Sequence, residues 1–282
     1  MAVSLATNID TQTVLRNLEK TQRGVSTSIA KLSSGLRITH AGDDAAGLAL
    51  SEQLKGVVRG LAQAQRNGLD GISMIQVAEG ALNEMHSALS RMRELAVQSA
   101  NAIQSTTSRG FIDAEFRSLR AEIDQIADST NFNGTKLVNT AQEFKFQIGA
   151  YALASENQIA VSMLDMSVSS LGGSVANSTT LAGTSVSTMT AALGAISSID
   201  QAISDVSAQR GKIGAAQNRL TFAIDNLSSA RENLLAANSR ISDVDVAQET
   251  SDFTRGQILA QAGVSILAQS NQLPAVALQL LR

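Results

Sequence analysis

The stretch that decides the fold is AALGAISSIDQAISDVSAQRGKIGAAQNRLTFAIDNLSSARENLLAANSRI, residues 191–241. Ile196, Ile199, Ile203, Val206, Ile213, Leu220, Ile224, Leu227, Leu234 and Ile241 fall on one heptad frame, with Arg210, Gln217, Arg231 and Asn238 in its polar slots. Apolar residues on alternating three- and four-residue steps mark the seam of a helix that pairs with another helix. At 1.5 Å per residue this helix is roughly 75 Å long. Nothing of that length fits inside a compact globule, so a partner of similar length has to run beside it.

The partner lies near the other end of the chain. Leu54, Leu61, Ile75, Leu82 and Leu89 recur every seven residues, with Gly68 in the remaining slot. A companion stripe holds Val57, Ala64, Gly71, Ala78, Met85 and Met92. Glycine inside a helix costs roughly 1 kcal/mol relative to alanine. Close packing at Ala64, Gly68, Gly71 and Ala78 is the compensation expected. This helix should stop around SANAIQSTTSRG, which is rich in Ser, Thr and Asn.

Two more helices flank this pair. Leu15, Leu18, Val25, Ile29, Leu32 and Leu36 form an a/d stripe interrupted by Gln22. It breaks at SSGLRITHAGDDAAG, where Asp43 and Asp44 suit a new helix N-terminus. After SRISDVDVAQETS a last helix carries Phe253, Ile258, Leu259, Val264, Ile266 and Leu267, with Ser242 or Asp243 as candidate caps. It ends in NQLPAVALQLLR, residues 271–282, where Leu273, Val276, Leu278, Leu280 and Leu281 are apolar on more than one face. Pro274, the only proline, should kink this helix or leave one backbone bond unmade.

The middle of the chain changes period. Ile112, Phe116, Leu119, Ile123 and Ile126 mark a shorter helix, followed by an Asn133–Gly134 turn signal. EFKFQIGA and NQIAVSML alternate with period two and read as a β-hairpin at about 140–165. Residues 167–190 are Ser, Thr, Gly and Ala with few charges, a low-complexity connector with little apolar area to offset the cost of ordering it. The fold class is therefore mainly α: a long antiparallel coiled-coil bundle with a small hairpin and paired chain ends.

Composition excludes several functions. The net charge is −3 and basic residues are scattered, which leaves no surface for nucleic acid. No apolar run is long enough to span a membrane. The first twenty residues lack the basic and continuous apolar regions of a cleaved signal peptide. Cysteine is absent, so no disulfide or thiolate metal site forms. His40 and His86 lie in different elements, without metal-binding spacing. No nucleophile elbow, P-loop or dinucleotide motif occurs, and no enzyme or cofactor is expected.

KLSSGLRITHAGDDAAGLALSEQLKG, NGLDGISMIQVAEGALNEM, RMRELAVQSAN, NFNGTKL and SILAQSNQLPAVALQLLR occur in this order. These motifs resemble the two end regions of bacterial flagellin, over about residues 1–150 and 190–282. The resemblance implies a self-assembling filament subunit for swimming motility, in a minimal form without large central insertions. It implies an inner helical layer of residues 1–42 with 246–282 and an outer layer of residues 43–245. Inner-layer assembly residues are then Leu15, Leu18, Val25, Ile29, Leu32, Leu36, Leu259, Ile266, Leu273, Val276, Leu278, Leu280 and Leu281.

The resemblance also implies partners. An export chaperone covers the C-terminal helices before secretion through the flagellar type III channel to the cell exterior. Filament cap and hook–filament junction proteins meet the subunit. Some similar proteins engage Toll-like receptor 5 through a motif matched by Arg91, Glu94, Leu95 and Gln98, with Ser90 departing from it; packing against neighbouring subunits is the competing reading of these four. Ser167, Ser169, Ser170, Ser178, Thr179, Thr180, Ser185 and Ser187 form a candidate region for O-linked glycans, or a plain loop. Two alternatives remain: a hook–filament junction protein of the same architecture, and a coiled-coil effector of another class.

Overall fold

The computed structural model describes residues 9–152, 154–173 and 180–280; at 10, 154, 155 and 273–280 it describes the backbone alone. In chain order the elements are α1 (Ile9–Ser34), α2 (Ala45–Ser99), α3 (Thr106–Ser129), β1 (Asn131–Phe132), β2 (Thr135–Lys136), β3 (Gln142–Gln147), α4 (Ala154–Asn157), β4 (Gln158–Met163), a single 3-10 turn (Leu181–Gly183), α5 (Met189–Ser242) and α6 (Val246–Leu280). They gather into two compact units. One contains the chain up to Val58 and from Glu232 onward, the other Arg59–Arg231.

In the Arg59–Arg231 unit, α2 and α5 run antiparallel along the predicted heptads. Arg93 pairs with Asp200 near one end (2.6 Å) and Arg231 donates to Gln65 near the other (3.3 Å). Ile75, Leu82, Met85, Leu89 and Met92 of α2 meet Ile199, Val206, Ile213 and Leu220 of α5, all fully buried. Phe116 and Ile123 of α3 close the bundle. The predicted close approach is present: a Cβ at Gly68 would sit 2.9 Å from Ile224. At Gly71 the close neighbour is Phe146 of β3, also at 2.9 Å, so this glycine admits the sheet rather than a helix.

β3 and β4 pair antiparallel from Gln142↔Met163 to Gln147↔Gln158, as the alternation predicted. Ile159, Val161 and Met163 turn into the core. Gln209 of α5, itself buried, donates to the Ser162 carbonyl (3.0 Å) and holds β4 to the helix. A second, smaller hairpin accompanies it. β1 and β2 are joined by Asn133 (φ 49°) and Gly134 (φ 79°), the left-handed pair that a two-residue hairpin turn requires.

Three expectations need correction. Residues 167–173 and 180–190, the described parts of the expected connector, are anchored rather than loose: Val168, Leu171, Leu181 and Val186 are buried. Side chains of neighbouring helices hold the segment. Asp124 accepts from the Val168 N–H (2.8 Å), Asp113 from the Val186 N–H (2.9 Å), and Arg120 donates to the Ala182 and Thr184 carbonyls. Composition hid this, because four well-placed apolar residues suffice when helix side chains bond the backbone beside them.

The other two corrections concern helix ends. Neither Ser242 nor Asp243 caps α6. Asp245 does, accepting from the Ala247 and Gln248 N–H groups at 3.0 and 3.1 Å. Leu36 lies beyond the last turn of α1. Gly35 ends that helix with φ 74°, its N–H donating to Lys31 O, and Leu36 forms an antiparallel bridge with Asp243. The backbone stays helical through Pro274, whose nitrogen has no hydrogen to donate.

Candidate assembly surfaces

In the other unit α1 and α6 lie antiparallel and close, with Cα atoms within 8 Å along the pair. Thr11 bonds Ser270 (3.0 Å) at one end, and Ser28 donates to Glu249 (2.6 Å) at the other. Small residues make this spacing available. A Cβ at Gly256 would lie 2.7 Å from Val25, and one at Gly263 would lie 3.2 Å from Leu18. The covered seam of α1 is Thr11, Val14, Leu18, Thr21, Val25, Ser28 and Leu32. That of α6 is Glu249, Gly256, Ala260, Gly263, Leu267 and Ser270.

The seam mixes aliphatic, small and polar residues, with Leu18 and Val25 seated on Gly263 and Gly256, and further large aliphatics lie outside it. Of the predicted stripe, Leu18, Val25 and Leu32 are half-buried in the seam, while Leu15 and Ile29 are exposed. On α6, Leu259 and Ile266 are exposed, and so are Val246, Ile258 and Val264, which the site prediction omitted. Gly256 and Gly263, spaced by seven, were the available signal that the seam faces elsewhere. Among the described residues of this unit, Ile38 is the one large aliphatic that is nearly fully buried.

The register places the tail beyond the described part of α1: Ser270 lies opposite Thr11, so the last turns of α6 run past Ile9 and not along Leu15–Leu36 of the same chain. Leu273, Val276, Leu278 and Leu280 have helical backbone, and their side chains lie outside the described set; Leu281 lies outside the described residues.

At the α1–α2 junction, Asp43 Oδ2 accepts from the Thr39 and His40 N–H groups and the Thr39 hydroxyl, each at 3.0 Å. Those bonds, the backbone ones foremost, hold its carboxyl below the ordinary value. Asp44 caps α2, accepting from the Gly47 N–H at 2.9 Å. On α2, Arg91 bridges Glu94 (2.9 Å) and Glu115 of α3 (2.9 Å). Arg91, Glu94 and Gln98 are exposed, whereas Leu95 is buried in the core of its own unit and cannot touch an outside partner.

The proposed glycan positions divide likewise. Ser167 bonds Ser169, Ser170 donates to Asp165 (2.7 Å), and Ser185 bonds Ser187. All five are at the surface or half-buried, as is Thr180, and Ser178 and Thr179 lie outside the described residues. Among the described residues no cluster of His, Asp or Glu could hold a metal, and no helix is long and apolar enough to cross a membrane.

Large aliphatics left bare on the flanks of the α1–α6 seam mark surfaces that other molecules cover, as in a protein built to associate. Comparison with known proteins gives the family. The bacterial flagellin N-terminal helical region matches residues 5–143 and the C-terminal helical region residues 196–281. The flagellin of Halalkalibacterium halodurans is 46% identical over 90% of this chain and 91% of its own length. That of Bacillus subtilis is 45% identical over 98% of each. The crystal structure of Bacillus cereus flagellin matches with a TM-score of 0.50 at 32% identity, over 61% of this chain and 94% of its own.

The chain belongs to the bacterial flagellins. It is a structural subunit that self-assembles into the extracellular flagellar filament, and not an enzyme. A hook-associated protein of Vibrio parahaemolyticus shares the fold at 14% identity (TM-score 0.58), but identity over nearly the whole chain places this protein with the filament subunits rather than the junction proteins.

Proposed function

We propose that the α1–α6 pair builds the inner layer of the filament, residues 1–42 with 246–282, and that residues 43–245 form the outer layer. The observation that supports this is the set of large aliphatics that the pair leaves bare: Leu15, Ile29, Leu259 and Ile266 are exposed, beside a seam in which Leu18 and Val25 lie on Gly263 and Gly256. Neighbouring subunits cover the outward set, together with Leu273, Val276, Leu278, Leu280 and Leu281 of the tail. Contacts between unlike patches that do not close into a ring extend a polymer without limit.

Before assembly the same surface needs a cover. An export chaperone on residues 250–282 supplies it, and the chain leaves through the flagellar type III channel. The absence of cysteine suits transport as an unfolded chain, since no cross-link can form on the way. Cap and junction proteins meet the same inner-layer flanks. Arg91, Glu94 and Gln98 form the exposed set on which Toll-like receptor 5 can be tested. Ser167, Ser169, Ser170, Ser185 and Ser187 are the described hydroxyls to test for glycan by intact mass of shed filaments.

Deleting residues 271–282 yields a soluble subunit that does not polymerise; normal filaments in electron micrographs would refute the reading. Leu278→Asp blocks assembly and leaves the circular dichroism of the monomer nearly unchanged. A large loss of monomer helicity would instead show that the tail packs within its own subunit.

A further inference from the structure

The dipeptide Asn–Gly occurs twice in the chain, as Asn67–Gly68 and as Asn133–Gly134. An asparagine side chain is most open to attack by the nitrogen of the next residue when that residue is glycine, which places no side chain in the way. The two copies stand in opposite surroundings.

Asn67 is held at both ends of its amide. Its Oδ1 accepts from Gln63 (2.9 Å) and its Nδ2 donates to the Gln147 carbonyl (3.1 Å). Both residues of this copy lie inside α2, and Gly68 is buried, with Ile224 2.9 Å from where a Cβ would stand. Swinging the Gly68 nitrogen onto the side chain would break the helix where α5 comes closest.

Asn133 has none of these restraints. It is exposed with φ 49°, Gly134 is exposed with φ 79°, and nothing lies within 4 Å of the place of a Gly134 Cβ. Among the described residues the Asn133 amide makes no hydrogen bond, and the Gly134 N–H donates to no backbone carbonyl. The strands on either side of the turn hold two residues each, Asn131–Phe132 and Thr135–Lys136. Pairs that short are among the first parts of a fold to open.

We propose that Asn133 is a site of spontaneous covalent modification in the folded subunit, converted to aspartate and isoaspartate through a cyclic imide with Gly134. The Gly134 nitrogen loses its proton to solvent base and attacks Asn133 Cγ. The new N–Cγ bond closes the ring, and the Cγ–Nδ2 bond breaks with release of ammonia. Water then opens the imide. Opening at the side-chain carbonyl gives aspartate, and opening at the backbone carbonyl gives isoaspartate, in which the chain runs through Cβ. Either product adds one negative charge to a chain whose formal net charge is −3. Isoaspartate also lengthens the backbone by a methylene, which a two-residue hairpin turn cannot absorb without reshaping. The chemistry proceeds on a single subunit and is independent of assembly.

The full-length subunit, kept unpolymerised at mildly alkaline pH, is sampled over days. Mass spectrometry follows amide loss in the peptides that contain residues 67 and 133, and enzymatic carboxyl methylation identifies isoaspartate. In the native subunit, loss at 133 is expected to be at least about 10-fold faster than at 67, as between a short turn and a helix interior. In strong denaturant the two rates converge, because glycine follows asparagine in both. Asn133→Gly, a residue suited to this left-handed turn, removes the acidic species that the native subunit accumulates and keeps its circular dichroism. Equal native rates at the two positions, or amide loss at 133 that appears only in denaturant, overturns the proposal, and so does an acidic species that persists in Asn133→Gly. The comparison of the two sites within one unsubstituted chain decides the matter even where the variant folds poorly.

Discussion

Gly71 and Gly256 show how much of this protein depends on missing side chains. Each occupies a heptad seam, and at each a Cβ would fall within 3 Å of a neighbour, Phe146 in one case and Val25 in the other. Gly71→Val should displace Phe146 and destabilise the Arg59–Arg231 unit by about 1–3 kcal/mol, the range for overpacked cores. Thermal unfolding followed at the hairpin checks it, and an unchanged Tm would show that Phe146 has room to move. Asp43 offers a pH-dependent counterpart. Its carboxyl is held below the ordinary 3.8 by three donated hydrogen bonds. The contribution to stability is therefore complete above that value and is lost as pH falls through the lower folded-state value. Asp43→Asn should flatten the acid limb of helix content below about pH 4, in a titration by circular dichroism.

At the scale of elements, the long helices were legible and their facing was not always so. Heptads in α2 and α5 name the residues that the core buries, because Ile75, Leu82, Leu89, Ile199 and Ile213 are large and have no competing face. In α1 the same rule put Leu15 and Ile29 on the seam with Leu18 and Val25. The chain instead rotates Thr11, Thr21 and Ser28 inward, because α6 presents Gly256, Ala260 and Gly263 and the two backbones close on them. A heptad reports where a helix wants apolar contact, but not whether its own chain supplies it. The described parts of the 167–190 segment escape sequence reading for the opposite reason: their anchors, Asp113, Arg120 and Asp124, belong to α3. Asp113→Ala leaves the buried Val186 N–H without an acceptor, a cost of about 1–3 kcal/mol. It should open the segment to protease between Asp165 and Thr188, whereas Glu115→Ala on the exposed side of α3 should not. Limited proteolysis with mass analysis separates the two.

At the scale of the molecule, the two units differ in what holds them. Arg59–Arg231 has a continuous core running from Met74 to Leu220. The unit built on α1 and α6 is joined by half-buried aliphatics such as Leu18 and Val25 set on glycines, by hydroxyl and carboxylate contacts, and by one bridge at Leu36 and Asp243. Amide exchange in monomer should follow this division. Protection in α1 and in α6 up to Ser270 is expected to be at least about 100-fold below that of residues 75–92 of α2. In the filament α1 and α6 should rise to match. Equal protection in the monomer would show that the half-buried α1–α6 seam holds as firmly as the core of the other unit.

The α1–α6 pairing also sets an order of events in time. Thr11 meets Ser270 and Ser28 meets Glu249, contacts that join opposite ends of the chain. A chain that emerges from one end cannot close this pair until almost its last turn has arrived. A chain that stops short of Glu249 therefore leaves α1 unpartnered and cannot present both flanks together. Long-range pairing slows folding, and it makes the order of α1 depend on the length of the chain up to Ser270.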